Sequence, residues 1–179
     1  GADDNASGTA ALMELARLLR KTKNLKSNYL FIAFSGEESG LLGSKYFTRH
    51  PTVDLSKISY MLNMDMIGRL NDSSHLLFIG GYGTSPAWAA LVSSSVNKKV
   101  FTLHLDSSGT GPSDQTSFYL KNIPVLFFFT GIHPDYHKPS DEAAKINNPG
   151  EVHVIKLIYD ITGRMDGVNK PAFAKSGDS

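Results

Sequence analysis

Ile58-Ser59-Tyr60-Met61-Leu62-Asn63-Met64-Asp65-Met66 reads as a buried strand with a carboxylate near its end. Its apolar residues do not alternate cleanly with polar ones, the mark of a strand covered on both faces. Tyr29–Phe34 has the same character, and Pro124–Thr130 repeats it with Val125-Leu126-Phe127-Phe128-Phe129. Leu76–Ile79, closed by Gly80-Gly81, is a further buried strand, and Val100–Leu105 alternates as a strand with one wetter face. Helical spacing fills the intervals. Leu12, Leu15, Ala16 and Leu19 follow the capping candidates Asp4, Asn5 and Ser7. Further helices are expected near Leu42–Phe47, after Ser85-Pro86, over Ser113–Leu120, and through Val154, Ile158, Ile161 and Met165. Strands alternating with helices indicate an α/β fold with a mixed, largely parallel central sheet and helices on both faces. In such sheets the chemistry sits at the carboxyl ends of the strands.

Composition narrows the function. The 179 residues carry 18 basic and 17 acidic side chains, a net charge of +1, which disfavours a dedicated nucleic-acid binder. No stretch approaches the roughly 20 apolar residues that span a bilayer. The absence of cysteine excludes disulfides, thiolate metal sites and a cysteine nucleophile. No Gly-x-Ser-x-Gly elbow, phosphate loop or dinucleotide fingerprint is present. Residues 1–170 read as one domain, and 171–179 as a polar tail, frayed over Lys175–Ser179.

Acidic and imidazole groups fall at four structural joints. Asp4 precedes the first helix, Glu37-Glu38 follow the strand ending at Phe34, Asp65 ends its strand, and His137 follows Pro124–Thr130. Asp4 alone would be a helix cap, Glu37-Glu38 a solvated turn and His137 a hydrogen-bonded structural histidine. Asp65 is harder to dismiss, since burying a lone carboxylate costs several kcal/mol unless it is paired or bound to metal. Carboxylates and imidazole without thiolates suit a catalytic Zn²⁺, with Mn²⁺ or Co²⁺ chemically allowed. An adjacent Glu pair divides the labour: one carboxylate binds metal while its neighbour takes a proton from water.

Several stretches jointly resemble the M28 family of zinc aminopeptidases, in the family's order. They are Gly1-Ala2-Asp3-Asp4-Asn5-Ala6-Ser7-Gly8, Phe34-Ser35-Gly36-Glu37-Glu38-Ser39-Gly40-Leu41-Leu42-Gly43-Ser44, Asn63-Met64-Asp65-Met66-Ile67-Gly68, Ser113-Asp114 and Tyr136-His137. The resemblance implies the zinc-aminopeptidase, phosphorylase/hydrolase-like fold with its N-terminal strands missing. It implies Asp4 as a carboxylate bridging two zinc ions, Glu37 as general base, Glu38 and His137 as ligands of one zinc, and Asp65 as a ligand of the other. Tyr136 matches a donor to the tetrahedral oxyanion. Met66 and Ile132 are pocket candidates by adjacency.

The family's first histidine lies in a His-x-Asp motif that precedes Gly-Ala-Asp-Asp, and this sequence opens at Gly1. The chain is therefore expected to be the middle of something longer and to hold at most one zinc firmly, near His137. An exposed sheet edge is expected to favour association with another chain. Gln115 stands where the family often has His, so it offers a polar contact but not a titrating one. A single-zinc glutaminyl cyclase and a non-catalytic peptide-binding relative are the alternatives to an exopeptidase acting on peptides. An extracellular or periplasmic location follows from the resemblance alone. Pro134 separates His133 from His137 and rules out a helical His pair, leaving His133 as a loop or pocket residue.

Overall fold

A computed structural model describes residues 1–176. Its sheet has four strands: β1 (Met61–Met64), β2 (Leu76–Gly80), β3 (Thr102–Leu105) and β4 (Val125–Phe129), in the order β1-β4-β2-β3. β1 pairs parallel with β4, β2 pairs parallel with β3, and β2 runs antiparallel to β4. The sheet is thus mixed and mostly parallel, as the apolar runs require.

Alternate residues of β4 point to opposite faces, and each face has its own core. Leu126 and Phe128 join Leu77, Ile79 and Trp88 beneath α1 (Gly8–Lys21), α3 (Ala87–Ser95) and α5 (Asn148–Met165). Val125 instead meets Phe118, Tyr119 and Ile123, with Phe34 and Phe47 packed alongside; these belong to α4 (Gln115–Tyr119), α2 (Leu42–Arg49) and neighbouring loops. On α1, the four-residue spacing of the buried residues Ala11, Leu15 and Leu19 turns one stripe inward.

Two glycines allow the close approaches that assemble the site. A Cβ on Gly8 would stand 2.5 Å from the Met64 carbonyl, so only glycine lets α1 start against the end of β1. On Gly43 a Cβ would lie 2.7 Å from the Ser35 carbonyl. There α2 folds back, with Gly43 N–H donating to that carbonyl at 2.9 Å. The turn so closed carries Glu37 and Glu38.

Tyr29–Phe34 does not form the expected strand. It finds no main-chain hydrogen-bond partner among the described residues, and Leu30 and Phe31 are exposed. A cavity of about 670 Å³ lies between this segment and β1, lined by Phe31, Ile32, Met61 and Leu62 among others. The apolar pattern belongs to an inner strand, but a ladder needs a neighbour at hydrogen-bonding distance. The open edge of β1 accordingly faces this gap. The tail also departs from expectation. As far as Ser176 it is tied down: Ser176 Oγ accepts from Gly109 N–H at 3.0 Å, and Tyr119 Oη donates to the Ser176 carbonyl at 3.1 Å. Residues 177–179 of the expected frayed tail lie outside the described residues.

Candidate metal centre

Asp4 belongs to a turn, Ala2–Ser7, whose helical geometry breaks at Asp4 and Asn5. Asn5 ties this turn to its surroundings. Its Oδ1 accepts from Gly8 N–H at 3.1 Å and from Met66 N–H at 3.2 Å, joining the start of α1 to the end of β1. Glu38 comes from the turn before α2, and His137 from the loop after β4. The three meet. His137 Nε2 lies 2.7 Å from Glu38 Oε1 and 3.2 Å from Asp4 Oδ2, and the donor atoms of all three fall within 4.8 Å of one another.

One ring nitrogen carries at most one proton, yet two carboxylates converge on this one. A divalent cation satisfies all three groups at once, and two carboxylates with an imidazole are a donor set that zinc accepts. The trio fits the ion.

Asp65 stands beside the trio rather than within it, lining the same cleft with Glu37, Ser113 and Asp114. Ser113 Oγ donates to Asp65 Oδ2 at 2.9 Å, and Asn63 Nδ2 donates to Ser113 Oγ and to Gln115 Oε1, both at 2.9 Å. Gln115 therefore does make a polar contact, from a buried position. Burial pushes the Asp65 carboxyl up to about 6, more than the Ser113 bond pulls it down. Glu37 is pushed up to about 7, first by burial and then by the charges of Asp65, Glu38, Asp114 and Asp4. Burial, followed by Glu38, raises Asp4 as well. A carboxyl poised near neutrality beside a group of candidate ligands has the properties of a proton acceptor.

Left-handed backbone recurs at these joints: Leu41 has φ 60°, Met66 φ 54° and His137 φ 56°. Each costs on the order of 1 kcal/mol for a residue with a Cβ, and such strain concentrates at functional sites. Tyr136 stacks on His137 with ring centroids 3.7 Å apart. Its hydroxyl is held in the protonated form, by burial first and then by Glu38, Asp4, Asp65 and Glu37. Met66 is buried and Ile132 is 74% exposed, and neither is among the residues that line the cleft. His133 is drawn inward: its Nε2 lies 3.2 Å from Oδ2 of the buried Asp3. Sequence reasoning missed Asp3, Arg69 and Asp141 as parts of this framework, although Asp3 lies within and Arg69 next to a quoted motif.

The sequence profile of Peptidase family M28 matches residues 1–162. The chain belongs to this family. Aminopeptidase YwaD of Bacillus subtilis (strain 168) is 30% identical over 154 residues, which cover 82% of this chain and 34% of that protein. Leupeptin-inactivating enzyme 1 of Streptomyces exfoliatus is 28% identical over 185 residues, covering all of this chain and 40% of the relative. Among solved structures, BSAP, a zinc aminopeptidase from Bacillus subtilis, superposes with a TM-score of 0.79 at 25% identity, over 99% of this chain and 46% of that one. The M28 chain therefore spans less than half the length of each of these relatives. Among its described residues no helix is long and apolar enough to cross a membrane.

Proposed function

We propose that this chain carries the catalytic groups of a zinc-dependent aminopeptidase that cleaves N-terminal peptide bonds. The observation that carries the reading is the convergence of Asp4, Glu38 and His137 within 4.8 Å, with Glu37 on the same cleft. Family membership and the names of the relatives support it. Asp4, Glu38 and His137 would hold zinc, which when bound supplies a Lewis acid and lowers the pKa of its water to about 7. Glu37 takes the proton from the attacking water on a carboxylate oxygen and returns it to the amine that leaves. The Tyr136 hydroxyl, kept protonated by its acidic surroundings, donates to the oxyanion of the substrate carbonyl. Asp65, oriented by Ser113, would complete a second zinc site with Asp4. Among the described residues Asp4 and Asp65 would supply two oxygen ligands, so at most one firmly held ion is expected in this chain. The reading includes an extracellular or periplasmic location, supported by the family resemblance. It also includes association through the open edge of β1, supported by its unpaired backbone.

Release of an aromatic amine from amino-acid anilides tests the reaction. A chelator should abolish it and added Zn²⁺ restore it. Full activity in metal-free protein, or cyclisation of an N-terminal glutamine in place of release, would overturn the reading.

A further inference from the structure

Arg69 sits where the segments bearing Asp4, Asp65 and His137 meet, and it makes its hydrogen bonds to Thr130, Asp135 and Asp141 rather than to any candidate ligand. It lies four positions beyond Asp65, and its backbone N–H reaches Thr130 Oγ1 at 3.3 Å. That hydroxyl donates to the Met66 carbonyl at 2.7 Å, fastening the chain after β1 to the end of β4. One guanidinium nitrogen then serves two carboxylates. Nη2 donates to Asp141 Oδ1 and to Asp135 Oδ2, both at 3.2 Å.

Each of the two carboxylates leads to a candidate ligand. Asp141, with its side chain 1% exposed, turns its other oxygen to the N–H groups of Asp3 at 2.9 Å and Asp4 at 3.0 Å. Its carbonyl accepts from Ala2 N–H at 2.9 Å, so three successive amides of the Asp4 turn end on one residue. Asp135 lies two positions before His137. Its second oxygen accepts from Lys145 Nζ at 2.6 Å, and the same ammonium donates to the Ser140 carbonyl at 2.9 Å. The loop from Asp135 to Asp141 is thus closed on itself and pinned to Arg69.

We infer that Arg69 and Asp141 are positioning residues that hold the Asp4 turn against the His137 loop, and so set the spacing of the metal ligands. The inference rests on the proposed function and extends it to residues outside the ligand set. Its physical basis is charge. Asp4 and Glu38 repel each other across the site, and the loops carrying Asp4 and His137 would spread without a tie. A buried carboxylate at Asp141 stays ionised only with compensation, which the Asp3 and Asp4 amides and the guanidinium provide together. Lysine in place of Arg69 keeps the charge but loses the rigid, planar placement of the guanidinium nitrogen that reaches both carboxylates.

Zinc dissociation constants, measured by competition with a chelator, test this on the 179-residue chain alongside near-ultraviolet circular dichroism and the thermal midpoint of the metal-free form. Arg69→Met and Asp141→Asn should each weaken zinc about 10–100-fold, the usual effect of removing a group that orients a ligand. The double variant should be no worse than the poorer single one, because both act through the same tie. Arg69→Lys should recover part of the loss. A role in stability alone would lower the metal-free midpoint and leave zinc affinity of the folded protein unchanged. Should Arg69→Met fail to fold, Asp135→Asn removes only the His137 arm and should still weaken zinc about 10-fold. A folded variant, whether Arg69→Met or Asp135→Asn, with affinity within about 2-fold of the unsubstituted chain overturns the inference and leaves the proposed function standing. An unsubstituted chain that takes up no zinc overturns both.

Discussion

Glu37 and Asp65 ionise with difficulty in the folded chain, and this has a measurable sign. Their carboxyls are pushed up to about 7 and about 6, chiefly by burial and then by neighbouring carboxylates. A raised acid costs the fold nothing while both states are protonated. It destabilises progressively as pH climbs from the unfolded pKa through the folded one. The metal-free protein should therefore melt at a lower temperature at pH 8 than at pH 5, and Glu37→Gln should reduce the difference. Thermal midpoints in chelator across that range check this, and a midpoint that rises from pH 5 to pH 8 would refute it. Asp135 has the opposite sign, being held well below the usual carboxylate range by Lys145 first and then Ser140, with Arg69 adding to them, against the opposing effect of burial. Its contribution is present above the ordinary carboxylate pKa and lost only in strong acid, outside the window of the first experiment. At this scale the candidate ligands were legible because each sits inside a short motif at a strand or helix boundary. Arg69, Asp141 and His133 were not. In sequence each is an ordinary polar loop residue, and its partner lies 72 positions away for Arg69–Asp141 and 138 for Asp3–Asp141.

Elements show the same division between local and non-local information. The expectations for β2, β4 and α5 survive with shifted ends, since their apolar periodicity is local and their neighbours are present. Ile58–Met66 shrinks to Met61–Met64, the stretch that can keep register with Val125–Phe128. Tyr29–Phe34 fails as a strand for the complementary reason. Its side chains have an inner strand's pattern, but pairing is decided by what lies alongside, and alongside is a cavity. Amide hydrogen exchange should separate the two cases. Tyr29–Phe34 should exchange at least about 10²-fold faster than Leu126 and Phe128, whose strand is paired on both sides and buried beneath helices. Equal protection would mean that the segment is paired in solution. The helix α3 anchors the larger core through Trp88, which is fully buried and donates from Nε1 to Thr84 Oγ1 at 3.0 Å. Trp88→Ala should cost about 3–5 kcal/mol in denaturant-induced unfolding, from lost burial and the cavity left behind. A loss below about 1 kcal/mol would show that Trp88 does not carry this core.

Over the whole molecule, two cores on opposite faces of one mixed sheet hold four separate chain segments in register at a single cleft. Asp4 enters with the start of α1, Glu37 and Glu38 with the turn into α2 and Asp65 with the end of β1, and His137, from the loop after β4, meets Asp4 and Glu38 there. The carboxylates would repel one another there without a cation, which is why the cleft is read as a metal centre rather than as an acidic surface patch. The division of roles within the adjacent Glu pair is the central claim, because only one of them points at the imidazole. Zinc content and anilide turnover of Glu37→Gln and Glu38→Gln, prepared side by side, test it most directly. Glu37→Gln should keep its zinc and lose turnover by a factor of about 10² or more, the scale expected for a missing general base. Glu38→Gln should lose the zinc itself. The account is contradicted if Glu37→Gln comes out empty of metal while Glu38→Gln retains it.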